Sequence, residues 1–314
     1  MKKCILLIIL STFTFSVFAQ AEMNPMARTG ITELNLVQVS ESVVMVHNHK
    51  DQGSNMICVA LDDGLVFWDC SLFTEIGKEF RSEMEKKYQR KTLALVQSHV
   101  HSDHFFGMDA FKDVPYIATV KAKRNFNAQL AIDFEKYKEG YKSVFPLFDK
   151  ALESAKFRMP SFWFDGELEL GSGDSKLILR NAGGHSECSI YAYFEKEKIL
   201  LVGDEIQVDY YPYFGDQGGD LNKWISILKK WETMEFDYAC PGHGLIANKA
   251  YLTKTRVFFD SLNAKLTDLK KKNASEEELY KSINAIEKYW PEDQALPVWY
   301  NSAIKRAYIK TIIN

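Results

Sequence analysis

Basic residues never gather into a long run, cysteines number only five in 314 residues, and past residue 21 no apolar stretch is long enough to cross a bilayer. With 39 basic against 42 acidic residues and a formal net charge of −3, the chain lacks the electrostatic footprint of a nucleic-acid partner. The scarcity of cysteine leaves a protein without a disulfide as the expectation, and the missing apolar stretch excludes a stable membrane span in the mature chain. Eight prolines, 17 glycines and 46% hydrophobic residues exclude collagen-like and disordered chains, because ample apolar surface is available for burial. There is also no internal repeat and no low-complexity linker.

What is present begins with an export signal. Lys2 and Lys3 precede the apolar run Cys4 to Phe18, and Ala19-Gln20-Ala21 supplies small residues at its exit. A basic head, a short apolar stretch and small exit residues read as a secretory signal peptide, here residues 1–19 with cleavage preferred after Ala19 over Ala21. The alternative is an uncleaved anchor. Removal of residues 1–21 takes away two lysines and no acids, leaving 37 basic and 42 acidic groups. The expected location is periplasmic or secreted. Of the four cysteines left by export, Cys58 and Cys70 fall on neighbouring strands, and counting from Asp62-Asp63-Gly64 sets Cys58 opposite Trp68. That diagonal is long for a disulfide. Cys188 and Cys240 each lie three residues from a histidine discussed below, and can end near each other.

Strands are predicted at 43–47 and 56–70, the latter folded at Asp62-Asp63-Gly64. A helix follows at 72–90, with Phe73, Ile76, Phe80 and Met84 on one face. Leu93–Val96 and Tyr116–Val120 read as strands, 121–157 as a long helix rich in Lys, Glu and Phe, and 167–170 with 176–180 as a hairpin. Strands at 189–194, 198–202 and 237–240 flank a loop at 205–220 and a helix at 221–233. Residues 248–314 read as helical, with a capping box at Ser275 and Glu278 and breaks at Pro291 and Pro297. Interleaved strands and helices define an α/β protein, and the hairpins argue against a simple doubly wound sheet. The expected organisation is a domain over 22–250 with a helical C-terminal extension, 251–314, packed on it.

Chemistry concentrates where short strands end. His99-x-His101-x-Asp103-His104 packs four metal-ligand side chains into six residues. On an extended segment His99, His101 and Asp103 would share a face, with His104 turning in from the loop. Imidazole nitrogen with carboxylate oxygen suits zinc, with iron and manganese as alternatives. Three further candidates follow short apolar strands and have glycine beside them: His185 in Gly183-Gly184-His185, Asp204 after Gly203, and His243 in Gly242-His243-Gly244. Singly each has an ordinary reading as a loop, turn or cap residue; in this order after the first motif they read as one set.

The HxHxDH run at 99–104, GGHS at 183–186, VGD at 202–204 and PGHG at 241–244 together resemble the metallo-β-lactamase superfamily, over most of 40–247. The resemblance implies a four-layer αββα sandwich. It implies that His99, His101 and His185 hold a first metal, that Asp103, His104 and His243 hold a second, and that Asp204 bridges them. The cysteine-using lactamase subclass has Cys where this chain has Asp204, and a Lys where it has Gln207. The diiron oxygen reductases have Glu where it has His101. The complete set is similar to that of lactonases and hydroxyacylglutathione hydrolases.

Two metals about 3.5–4 Å apart can hold a bridging hydroxide that attacks a carbonyl, because metal lowers the pKa of water from ~15.7 to about 7–9. Asp103 is then the natural proton carrier to the leaving group. The reading is an exported dinuclear zinc hydrolase opening an ester, lactone or amide bond, β-lactams included, of a small-molecule substrate. The alternatives are a thioesterase of the hydroxyacylglutathione type, an iron-dependent sulfur dioxygenase, and a non-catalytic metal-binding protein. Glutathione chemistry is mostly intracellular, which the signal opposes, and a binding module has no need of seven ligands. Tyr210, Tyr211 and Tyr213 follow Asp204 closely and are expected to line the pocket; packing against the C-terminal helices is the other reading. For Phe126, Phe134, Tyr137, Tyr141, Phe145 and Phe148, core packing is favoured over a roof above the metals. His47 and His49 are expected to be surface residues, and Ser98 and Ser186 to support the site or its loops.

Overall fold

The computed structural model describes residues 34–47, 53–126, 133–144, 152–153, 155–209, 212–213 and 218–286. The expected export signal, His49, Phe145, Phe148, Tyr210, Tyr211 and the chain after Ile286 lie outside them, as does the side chain of Tyr141.

Among the described residues twelve strands form two sheets. The first has seven in chain order: β1 (Leu36–Gln38), β2 (Val43–Val46), β3 (Met56–Leu61), β4 (Gly64–Trp68), β5 (Thr92–Val96), β6 (Tyr116–Thr119) and β7 (Phe162–Phe164). It is antiparallel from β1 to β4 and parallel from β4 to β7. The second is ordered β12-β11-β10-β9-β8, from β8 (Glu167–Ser172), β9 (Ser175–Asn181), β10 (Ile190–Phe194), β11 (Ile199–Gln207) and β12 (Tyr238–His243), with β11 and β12 parallel.

Period-two alternation assigns each strand's side chains to two different cores. Val43 and Met45 meet Leu177, Leu179, Ile199 and Leu201 between the sheets, whereas Val44 and Val46 face the opposite way. There they pack with helix α1 (Thr74–Tyr88), which buries Ile76, Phe80 and Met84, the face expected from its spacing. Leu200 and Val202 turn outward from the second sheet onto Trp224, Leu228 and Trp231. The short helix α2 (Ser102–Phe105) and helix α3 (Phe134–Val144) lie on the first side; α4 (Leu221–Thr233), α5 (Lys249–Lys271) and α6 (Glu276–Ile286) lie on the second, where α5 contributes Leu252, Phe258, Phe259 and Leu262. The layers are therefore helix, sheet, sheet, helix, an αββα sandwich. No helix among the described residues is long and apolar enough to cross a membrane.

Several expectations need correction. The 121–157 stretch is not one helix: a helical turn over Lys123–Asn125 is followed by α3, and residues 155–160 are non-helical. Proline disfavours helical backbone at the residue before it, and Pro146 falls in this stretch with Pro160 just beyond it. Phe126 is buried in the core, with Phe134 and Phe157 stacked beside it, so these aromatics pack rather than roof the site. The β3–β4 register is one residue off the expected count, pairing Ile57 with Trp68 and Cys58 with Phe67. Cys58, Cys70, Cys188 and Cys240 are buried and not joined in disulfides. β11 runs on through Gln207 and β12 through His243, because the two pair in parallel there, so the loop expected from 205 starts later. The Ser275–Glu278 capping box forms as expected, each partner bonding the other's backbone N–H.

Candidate metal centre

β5, the β9–β10 turn, β11 and β12 all end at one edge of the sandwich and deliver the seven ligand-type residues there. They fall into two groups: His99, His101, His185 and Asp204, and Asp103, His104 and His243. Within each group the potential donor atoms lie within 4.8 Å of one another. The strand ends at Val96, the backbone bends over 98–100, and α2 begins at Ser102 directly after an extended His101. This helical turn overturns the shared face expected for Asp103 with His99 and His101; Asp103 swings instead toward His243, with Oδ2 3.1 Å from the imidazole Nε2.

In the first group, His101 Nδ1 lies 2.9 Å from His99 Nε2 and 3.0 Å from His185 Nε2. Asp204 reaches both groups: its Oδ2 is 3.8 Å from His99 Nε2 and 3.5 Å from His243 Nε2, and its Oδ1 is 3.1 Å from His104 Nε2. His104 Nε2 and Asp204 Oδ1 are buried, and neither makes a hydrogen bond among the described residues. They face each other as an ion pair at 3.1 Å, and a metal ion in place of the proton between them would take a lone pair from each. Two clusters of imidazole nitrogen and carboxylate oxygen, with these atoms facing inward, are the donor set of a transition-metal site.

Each buried ligand is held from behind. Ser98 Oγ lies 2.9 Å from His99 Nδ1, and the Tyr213 carbonyl 2.9 Å from His185 Nδ1. Asp69 Oδ2 lies 2.8 Å from His104 Nδ1, and this carboxylate also accepts from the Ser98 N–H and hydroxyl. Fixing Nδ1 leaves Nε2 of each ring aimed at the centre. Asp69 sits just past β4 with a left-handed φ of 58°, uncommon for a residue with a side chain. Glu205 turns away from the centre and accepts from the Gly184 and His185 N–H groups. Asn55 donates to the carbonyls of Pro241 and Gly244, and Ser54 to that of Asp103. Two glycines are obligatory here: a Cβ on Gly242 would collide with Asp204 Oδ1, and one on Gly184 with the Glu205 carboxylate and Trp224.

Charge divides unevenly. Burial, reinforced by His104, holds His99 well below the usual histidine range. Burial also opposes charge on His104 and His243, yet the facing carboxylates, Asp204 foremost, outweigh it; His104 is driven well up and His243 to about 9. Asp103, despite burial, is pulled down to about 2 by His104 and His243, and Asp204 falls well below the usual carboxylate range under His243 and His104. Burial pushes Glu205 up to about 8, against the pull of its two backbone N–H donors.

Of the residues singled out from sequence, all seven ligand candidates converge. Tyr213 lies beside them, its ring centroid 5.5 Å from that of His101. Ser98 supports His99 as expected, and Ser186 bonds within its own loop to Ser189. His47 belongs to neither ligand group. Asp69, Glu205, Ser54 and Asn55 were not anticipated, and Gln207 was noted only for not being lysine. The one sequence signal for Asp69 is a carboxylate directly after an apolar strand, the same cue that exposed Asp204.

An αββα sandwich with two ligand groups at one edge defines a class of metal-binding enzymes, and the comparisons with known proteins name it. Residues 50–243 match the model of the metallo-beta-lactamase superfamily. The chain belongs to that superfamily and is a metal-dependent hydrolase. It is 24% identical over 209 residues to metallo-beta-lactamase type 2 of Bacillus sp. (strain 170), covering 64% of this chain and 71% of that one. To metallo-beta-lactamase type 2 of Bacillus cereus it is 22% identical over 268 residues, covering 80% and 94%. Among solved structures, a metallo-beta-lactamase from Pontibacter korlensis superposes with a TM-score of 0.57 at 18% identity, covering 73% of this chain and 99% of that one. A sec-alkylsulfatase, Pisa1 of Pseudomonas sp., superposes with 0.64 at 18% identity, covering 88% of this chain and 50% of its own.

Proposed function

We propose that the protein is an exported dinuclear zinc hydrolase that opens an ester, lactone or amide bond, with β-lactams among the candidates. The observation that carries this is Asp204, whose carboxylate reaches both ligand groups, with Oδ2 3.8 Å from His99 Nε2 and 3.5 Å from His243 Nε2 and Oδ1 3.1 Å from His104 Nε2. His99, His101 and His185 would hold one zinc, Asp103, His104 and His243 the other, and Asp204 both. Bound there, zinc would supply an acidified water and a Lewis acid for the carbonyl oxygen. Asp103, partly exposed and kept ionised by its two imidazole neighbours, would accept a proton and pass it to the leaving atom. Tyr213 would form part of the pocket wall and offer its phenol to the substrate carbonyl; Tyr210 and Tyr211 are proposed for the same wall from their place in the sequence. No Lys or Arg occurs between Asp204 and Lys223, so a neutral or weakly polar substrate suits the site better than a strongly anionic one.

The test is hydrolysis of a panel of β-lactams, lactones, esters and thioesters by the zinc-loaded mature protein, before and after chelation. A secondary alkyl sulfate joins the panel because a sec-alkylsulfatase superposes over most of the chain. Turnover of a carbonyl substrate that chelation abolishes supports the reading; cleavage of the sulfate alone replaces its substrate class. Mass analysis of protein recovered from the envelope or medium tests export, with an N-terminus at Gln20 or Glu22 expected and Met1 contradicting it.

A further inference from the structure

From the hydrogen-bond path around the centre, and resting on the dinuclear reading above, we infer that Gln207 is a positioning residue that couples Asp204 to His185, one ligand to the other, without itself facing a metal. β11 and β12 pair Gly203 with Pro241 and then Gln207 with His243, so β11 spends four steps where β12 spends two. Extra residues in one strand of a pair re-aim side chains, and such irregularities recur beside active sites. Here Gln207 comes round to the side of Asp204, although three residues along a regular strand would set the two on opposite faces. Its Nε2 donates to Asp204 Oδ2 at 2.8 Å, and its Oε1 accepts from the Tyr213 N–H at 3.1 Å.

The orientation of this amide is determined. A backbone N–H can only donate, so the atom facing Tyr213 must be the oxygen, and the nitrogen must then face the carboxylate. The Tyr213 carbonyl in turn lies 2.9 Å from His185 Nδ1 and can only accept. That places the proton of a neutral His185 on Nδ1 and the lone pair on Nε2, the atom turned to the centre. One buried amide therefore fixes the rotamer of Asp204 and, through the backbone of Tyr213, the tautomer of His185. Neither a carboxylate nor a thioether can do both, since the first lacks a donor and the second lacks both groups.

Gln207→Met keeps the length and removes both bonds; Gln207→Glu keeps an acceptor for Tyr213 and loses the donor to Asp204. Zinc affinity is read by competition with a chromophoric chelator, and ligand geometry from the visible absorption of the cobalt-substituted proteins. Melting of the metal-free proteins serves as the control for folding. The expected result is a loss of zinc affinity of about 10- to 100-fold in Gln207→Met, an altered cobalt spectrum, and a smaller loss in Gln207→Glu, with metal-free melting close to wild type. Should Gln207→Met not fold, Gln207→Glu decides by the same two readouts. Wild-type zinc affinity with an unchanged cobalt spectrum in a folded variant overturns the assignment. Wild-type protein that binds no metal overturns the function proposed above instead.

Discussion

The two ligand groups share a carboxylate but differ in enclosure and in protonation. In the first, His99 and His185 are buried, and their outer nitrogens meet neutral atoms, the Ser98 hydroxyl and the Tyr213 carbonyl. Burial keeps His99 unprotonated and so ready for metal. In the second, the His243 and Asp103 side chains are 16% and 22% exposed, and His104 is backed by the carboxylate of Asp69. Its imidazoles hold protons while no metal is there, because Asp204 and Asp103 face them. Metal entering the first group would meet an unprotonated His99, while metal entering the second would have to expel protons and would remain open to solvent. The open group is accordingly the one that can meet a leaving group.

The sharpest break of this comparison is Asp204→Ala. Because the carboxylate serves both groups, metal content should fall from about two to below one per chain, and turnover by orders of magnitude. His185→Ala and His243→Ala should each empty mainly their own group, leaving about one metal by elemental analysis. If His185→Ala lost both metals while Asp204→Ala lost one, the groups would not be arranged around Asp204 as described.

Protonation supplies the next effect. His243 titrates near 9 in the metal-free fold, against about 6.5 unfolded, so its pairing with Asp204 and Asp103 stabilises fully below pH 6.5 and fades as pH rises through 9. Asp103, held at about 2, contributes above its unfolded value of about 3.9, a contribution lost as pH falls through 2. Chelator-treated protein should therefore melt several degrees lower at pH 9.5 than at pH 6. Zinc-loaded protein should show no such fall, since metal replaces the protons. For the same reason the affinity of the second group should rise with pH more steeply than that of the first, as titrations at pH 6, 7 and 8 would resolve. Equal slopes would erase the distinction.

Asp69→Asn keeps a hydrogen bond to His104 but removes the charge behind it. It should weaken the second metal about 10-fold and the first little, by chelator competition. The smallest expected effect is Tyr213→Phe, about 10-fold in turnover with metal content intact; unchanged kinetics would leave this ring as packing.

The ligands were legible in the sequence because four fall within six residues and the others sit beside glycines that the packing requires. Gly242 and Gly184 meet Asp204 and Glu205 where no Cβ fits. The supports were not legible. Asp69, Glu205, Gln207 and Asn55 are single polar residues in or beside apolar strands; Asp69, Glu205 and Asn55 act on segments the fold brings near, and Gln207 reaches Asp204 only because β11 departs from regular pairing. Strands β1 and β7, three residues each, are too short for a periodic signal. The break in the 121–157 stretch was readable from Pro146, while its aromatic content suggested continuity. In β11 and β12 the apolar runs end before the strands do, since parallel pairing carries both past Gly203 and Cys240.

The proposed dinuclear function turns on one carboxylate, Asp204, serving both ligand groups. The most direct test is a zinc titration of metal-free protein, wild type beside Asp204→Ala, with bound metal counted by elemental analysis after gel filtration. The account predicts about two zinc ions per wild-type chain and fewer than one in the variant. A single zinc in wild type, or a variant that still holds two, would contradict it.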